Sequence, residues 1–153
     1  MDWNVGATVA AGAVATVVMT AVLYMGIFMM PRQMTMNLLY MLGSMVAPAN
    51  KGAAYMIGAM MHAMMGISFD WRIRASFGPW TWTPISRRGG LLLGFVHYLI
   101  VGMGMGMIGS LHPLMRRGHL QAPGIFVLRY PALTAMGFLM VHLVYGTLYE
   151  TWA

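Results

Sequence analysis

Three histidines, His62, His97 and His142, stand inside long uncharged stretches of this 153-residue chain. A neutral imidazole carries one N–H donor and one lone pair, so it can ligate a metal or hydrogen-bond a polar head group. An ionisable side chain within an apolar span is a functional hypothesis by default, because burying its polarity in lipid is expensive. Their depths agree. His62 precedes Asp70 by eight residues, His142 precedes Glu150 by eight, and His97 follows Arg88 by nine. At a helical rise of 1.5 Å per residue, each ring sits about 12–14 Å from the same boundary. Gly58, Gly66, Gly94, Gly102, Gly137 and Gly146 lie three to five residues from these rings, leaving room for a partner helix or a flat cofactor.

Such a layer suits a haem b held by two imidazoles, or a quinone head group hydrogen-bonded by one. His62, His97 and His142 are therefore the candidate cofactor-binding residues. The plainer alternative has each ring bonded on its own to Thr16, Thr20, Tyr98 or a carbonyl, adding helix adhesion of about 0.6–2 kcal/mol. Equal depth does not fix equal azimuth. Rings facing separate neighbours are the expected outcome, a shared cavity the less expected one.

The elements that must position these rings follow from charge. Hydrophobic residues make up 59% of the chain and charged ones 8%, whereas a soluble domain carries about 25% charged residues. An ordinary soluble enzyme or nucleic-acid-binding domain is excluded; the net charge of +6 sits in short groups between apolar stretches. A spanning helix needs about 20 apolar residues. The uncharged windows predict an all-α integral membrane four-helix bundle, one domain over 1–153, with spans at about 5–30, 52–69, 90–110 and 131–149. Pro31, Gly43 and Pro48 leave the 33–50 segment too short to cross. Gln33, Asn37, Tyr40 and Ser44 fall on one face of it, which predicts an amphipathic interfacial segment between the first two spans. Asp2 and the length of the first apolar run argue against a cleaved signal peptide.

The chain also reads as a duplication. Pro31 and Pro113 stand 82 positions apart, His62 and His142 stand 80 apart, and both His have Gly at +4. Two helical hairpins in the same orientation result, a parallel repeat that puts Ala15 and Thr16 at the place of His97. Four spans place both termini and the 70–89 loop on one side. That side has Arg72, Arg74, Arg87 and Arg88; the other has Arg32, Lys51, Arg116, Arg117 and Arg129. Arg32 directly after the first span tips the termini outward.

Other chemistry is thinner. Zero Cys removes disulfides, thiolate metal sites and cysteine nucleophiles. The acids Asp2, Asp70 and Glu150 lie at the membrane edge and offer no catalytic pair, so the chain is not expected to be an enzyme. Among the 20 Met, Met34, Met36 and Met115 are the set that could converge as soft Cu(I) ligands; Met as an adaptable apolar filler is the commoner use. A transporter is a further alternative, although no intramembrane carboxylate supports it. Gly102-x3-Gly106 and Gly12-x3-Thr16-x3-Thr20 allow close helix contact, within the bundle or with a partner. Trp80-Thr81-Trp82 between Pro79 and Pro84 suits an interface or a head-group anchor.

Leu111-His112-Pro113, Val141-His142-Leu143-Val144-Tyr145-Gly146, Met41-Leu42-Gly43 and His62-x3-Gly66 carry a resemblance over most of the chain. It resembles an uncharacterised family of small prokaryotic four-helix membrane proteins, and more distantly an accessory subunit of an electron-transport assembly such as alternative complex III. The resemblance implies a prokaryotic cytoplasmic (inner) membrane location. The family supplies no activity; the missing catalytic groups, minimal soluble loops and small-residue helix faces are what predict a small accessory or scaffolding role, with other integral membrane subunits and lipid as partners and no nucleic acid.

Overall fold

A chain this apolar must satisfy its backbone amides internally, and helices do so one segment at a time. The structure, a computed structural model, describes residues 5–77 and 87–152, with side chains described for 5–69 and 89–148. The described residues are helical and contain no strand: α1 (Val5–Met29), α2 (Leu38–Ser44), α3 (Lys51–Phe77), α4 (Arg87–Leu111), α5 (Pro113–Arg116) and α6 (Ala132–Trp152), with a 3-10 turn at Ile125–Val127. Three stretches, Val5–Met29, Lys51–Phe69 and Gly89–Leu111, are long and apolar enough to cross a membrane. The expected fourth span coincides with a shorter apolar stretch, Ala132–Leu148, within α6. The Trp80-Thr81-Trp82 motif lies outside the described residues.

Local chemistry sets the boundaries. α1 stops ahead of Pro31, whose ring cannot continue a helix. Asn50 accepts from the Ala53 amide at 3.0 Å and so caps α3. α4 ends just before His112-Pro113, where His112 is the N-cap of α5 and Pro113 its first residue.

α1 packs against both α3 and α6, and α4 packs against α6. Met34 locks this arrangement. A β-carbon on Gly26 of α1 would lie 2.6 Å from its Sδ, and one on Gly137 of α6 would lie 2.6 Å from its Cε. The Thr134 hydroxyl donates to the Gln33 carbonyl at 2.8 Å and fastens the same segment to the start of α6.

The 33–50 segment departs from the amphipathic interfacial helix expected of it. α2 is one short helix whose Leu38, Met41, Leu42, Gly43 and Ser44 are all buried. Gly43 and Gly58 bring it into backbone contact with α3: a β-carbon on either would collide with a main-chain carbonyl, of Ala54 and Leu39 respectively. Asn37, Tyr40 and Ser44 of the polar stripe meet protein partners, while Gln33 is exposed. The Asn37 carboxamide oxygen accepts from the Tyr24 hydroxyl at 2.7 Å and from the Tyr40 amide, and its amide group donates to the Tyr55 hydroxyl. Ser44 lies 3.2 Å from His112 Nε2, which also reaches the Met41 carbonyl at 2.9 Å. A helical wheel shows which residues share a face but not whether that face meets water or another helix.

The Gly102-x3-Gly106 stripe is likewise used inside the chain. The 3-10 turn folds back on α4 so that β-carbons at Gly102 and Gly106 would strike Phe126 and Ile125. Phe126 (φ 52) and Val127 (φ 63) adopt left-handed backbone conformations there, a strained choice for bulky residues. Complete burial of Val127 and the stacking of Phe126 on Tyr98, ring centroids 5.2 Å apart, oppose that strain.

Candidate functional site: a histidine-lined cavity

Glycine positions each ring. Gly94 and Gly146 let the backbones of α4 and α6 touch; a β-carbon on Gly94 would collide with the carbonyl of His142, and one on Gly146 with that of Gly90. One turn from this crossing, His97 meets His142 edge to face, ring centroids 4.9 Å apart and planes at 79°. Gly66 does the same for α3, because a β-carbon there would collide with the Thr16 hydroxyl on α1. One turn earlier on α3, His62 comes in beneath that contact.

The three rings line one cavity. The expectation of separate neighbours is therefore replaced by a shared space, since two independent glycine crossings rotate the rings inward. Thr16, at the repeat-equivalent place of His97, lines it as well. The enclosed space is about 30 Å³. That is enough for about one or two waters.

The hydrogen bonding is uneven. His142 Nδ1 donates to the Phe138 carbonyl at 2.6 Å, which leaves Nε2 as the lone-pair atom of a neutral ring. His62 Nδ1 and Nε2 and His97 Nδ1 are buried with no hydrogen-bond partner. His62 is 8% exposed and His97 7%. An unsatisfied buried polar atom costs about 1–3 kcal/mol, so a pair of such rings calls for a bound water or ligand. None of the described residues lining the cavity is charged.

An aromatic frame escaped sequence reasoning. Phe69 stacks on His97, centroids 3.7 Å apart and planes at 15°, and Tyr145 meets the same ring edge-on at 5.1 Å. Phe138 presents its edge to His142 at 4.5 Å. The Tyr145 hydroxyl donates to the Gly66 carbonyl at 2.6 Å and ties α6 to α3. Phe138 and Tyr145 stand four residues before and three after His142, so helical spacing was the signal that could have found them. Met34, Met36 and Met115 all join the buried hydrophobic core, with Met34 enclosed between two glycines.

A second hollow adjoins the cavity. A groove of about 420 Å³ runs along the seam of α1 and α3, lined by Thr16, Val17, Thr20, Tyr24, His62 and Ala63 among others. Thr16 and His62 form part of both walls. Comparison with known protein families, curated proteins and solved structures found no match.

Proposed function

We propose that this chain is a small membrane subunit that binds the head group of a lipophilic molecule with hydrogen-bonding oxygens, a quinone by class, in the His62/His97/His142 layer. The observation that carries this is the unpartnered state of His62 Nδ1, His62 Nε2 and His97 Nδ1 around one cavity. Quinone carbonyls accept from an imidazole N–H, and the hydroxyls of the reduced form donate to an imidazole lone pair, so these rings serve both forms. In its closed state the cavity suits water. A head group enters by displacing that water and turning aside flexible side chains such as Met65, which lines the cavity and is 41% exposed.

A haem held by His97 and His142 is disfavoured by contact: a porphyrin must lie between its two axial imidazoles, and these two rings touch. The copper alternative is disfavoured by packing, because the Met34 thioether is enclosed by Gly26 and Gly137. The experiment is organic extraction of the gently purified protein followed by chromatography of the extract. Co-purifying quinone that falls away in His62→Ala supports the proposal. Extracts free of quinone, together with no Soret band, overturn it in favour of a purely structural role for the rings.

The remaining architecture belongs to the same proposal: four spans formed by two duplicated hairpins, in a prokaryotic cytoplasmic membrane, with the termini outside, beside other integral membrane subunits of an electron-transport type assembly. Support for the duplication comes from Gly66 and Gly146, each four residues after a His and each spent on a close helix crossing. Support for lipid or protein partners comes from apolar side chains left outside, Met64, Met103, Met107, Met136 and Met140 among them. Because the chain has no Cys, single-cysteine labelling at each end reports topology without background. Termini labelled from opposite faces would remove the four-span arrangement. A solitary, monodisperse species after mild extraction from native membranes would remove the accessory role.

A further inference from the structure

We infer that the groove between α1 and α3 is the seat of the ligand's long apolar tail and its entrance from lipid, so that the ligand is a tailed quinone rather than a compact one. The inference rests on the head-group proposal above and narrows its ligand class. The groove is about 420 Å³, within the range of small-molecule sites, and its walls are almost wholly apolar. Small side chains on both helices make it: Ala21 on α1 faces Ala59 and Ala63 on α3. Along α1 it runs from Thr16 to Tyr24, two turns and about 12 Å of helix. Tyr24 and Leu39 close its far end, where the Tyr24 hydroxyl is engaged with Asn37.

The near end is what distinguishes this groove from an ordinary lipid-facing seam. The His62 ring stands there, nine-tenths buried, with neither nitrogen hydrogen-bonded, and it lines the inner cavity as well. A molecule with a polar ring at one end and a chain at the other matches this order: ring at His62, chain along the alanine walls to Leu39. A compact quinone leaves the alanine walls uncovered. A phospholipid acyl chain would fill the groove but bring no oxygen to His62, since its head group belongs at the membrane surface.

The test is photo-crosslinking of the full chain in lipid nanodiscs with a benzoquinone whose alkyl tail ends in a diazirine. The expected adducts lie at Val17 to Tyr24 and at Leu39. Excess decyl-tailed benzoquinone competes them away, and their yield falls about tenfold in His62→Ala and in Ala63→Leu. Ala59→Leu, at an exposed groove position, provides a second block that does not depend on packing inside the bundle. Adducts scattered over α4 and α6, with tail-less quinone still bound in a His62-dependent manner, overturn the groove assignment and leave the head-group site standing. Groove labelling by the tailed benzoquinone that is insensitive to His62→Ala and matched by a quinone-free alkyl diazirine means a lipid seam only and overturns the groove assignment; tail-less quinone whose binding also ignores His62→Ala overturns both.

Discussion

His97 and His142 meet edge to face, their ring centroids 4.9 Å apart, because Gly94 lets the backbone of α4 rest on the carbonyl of His142. The pair thus sits beside a point of close backbone approach. In Gly94→Ala the new methyl meets main-chain atoms that cannot rotate away, and α4 must shift. The expected loss is about 1–3 kcal/mol of stability, with weaker quinone retention. Gly104 is the control. It has nothing within 4 Å, so Gly104→Ala should be neutral or add up to about 1 kcal/mol through helix propensity. Thermal unfolding in detergent compares the two; equal destabilisation would show that Gly94 has no special role.

Charge is so rare here that the uncharged windows mark α1, α4 and α6 to within a few residues, whereas α3 runs on past its window to Phe77 and α2 fills only Leu38–Ser44 of the 33–50 segment. Counting from the charged edges with the helical rise also set the three histidines at one level, and they line one cavity. Rotation was not legible. His62, His97 and His142 face one cavity because of Gly66, Gly94 and Gly146, and a sequence shows glycines without showing which neighbour each will touch. The fate of Asn37 and Ser44 was hidden similarly. Polar side chains on one face of a short helix look alike whether they meet water or, as here, Tyr24, Tyr55 and His112.

His112 should prove more important for folding than the three cavity histidines. Its side chain is fully buried; Nδ1 accepts from the Leu114 amide at 3.1 Å, so Nε2 carries the proton that reaches the Met41 carbonyl. It caps α5 and holds α2 at once. Removing it leaves the Met41 carbonyl and the Leu114 amide short of a partner, at about 1–3 kcal/mol. His112→Ala is expected to speed hydrogen exchange over 38–44, with Ser44→Ala giving a smaller change. No change in exchange there would mean that α2 is held by its glycine contacts with α3 alone.

Asn37 joins three elements through both ends of its carboxamide, accepting from Tyr24 and Tyr40 and donating to Tyr55. Asn37→Asp keeps the acceptor but loses the donor to Tyr55. Asn37→Ala loses both, together with the helix cap, for about 1–2 kcal/mol. The expected order of stability is wild type, then Asn37→Asp, then Asn37→Ala. Tyr55→Phe removes the hydrogen bond to Asn37 outright and should cost about 0.5–1.5 kcal/mol, whereas in the Asp variant the Tyr55 hydroxyl can turn and donate to the carboxylate. A Tyr55→Phe protein as stable as wild type would show that this hydrogen bond contributes nothing.

His62 and His142 should respond oppositely to the same change. His142 donates to the Phe138 carbonyl, which keeps its helical amide partner inside α6, so His142→Leu loses one buried hydrogen bond and is expected to destabilise the protein by about 0.5–1.5 kcal/mol. His62 bonds to nothing in the chain, so His62→Leu removes two unsatisfied atoms and fills the space with a hydrocarbon of similar size. The ligand-free His62→Leu protein is therefore expected to be as stable as wild type or about 1 kcal/mol more stable, while losing its quinone. A residue kept for binding at the expense of stability behaves in this way; a structural residue does not. Thermal unfolding of delipidated protein, with and without added quinone, separates the two. Destabilisation of His62→Leu comparable to that of His142→Leu in the absence of ligand would place His62 among the structural contacts and remove the main support for the site.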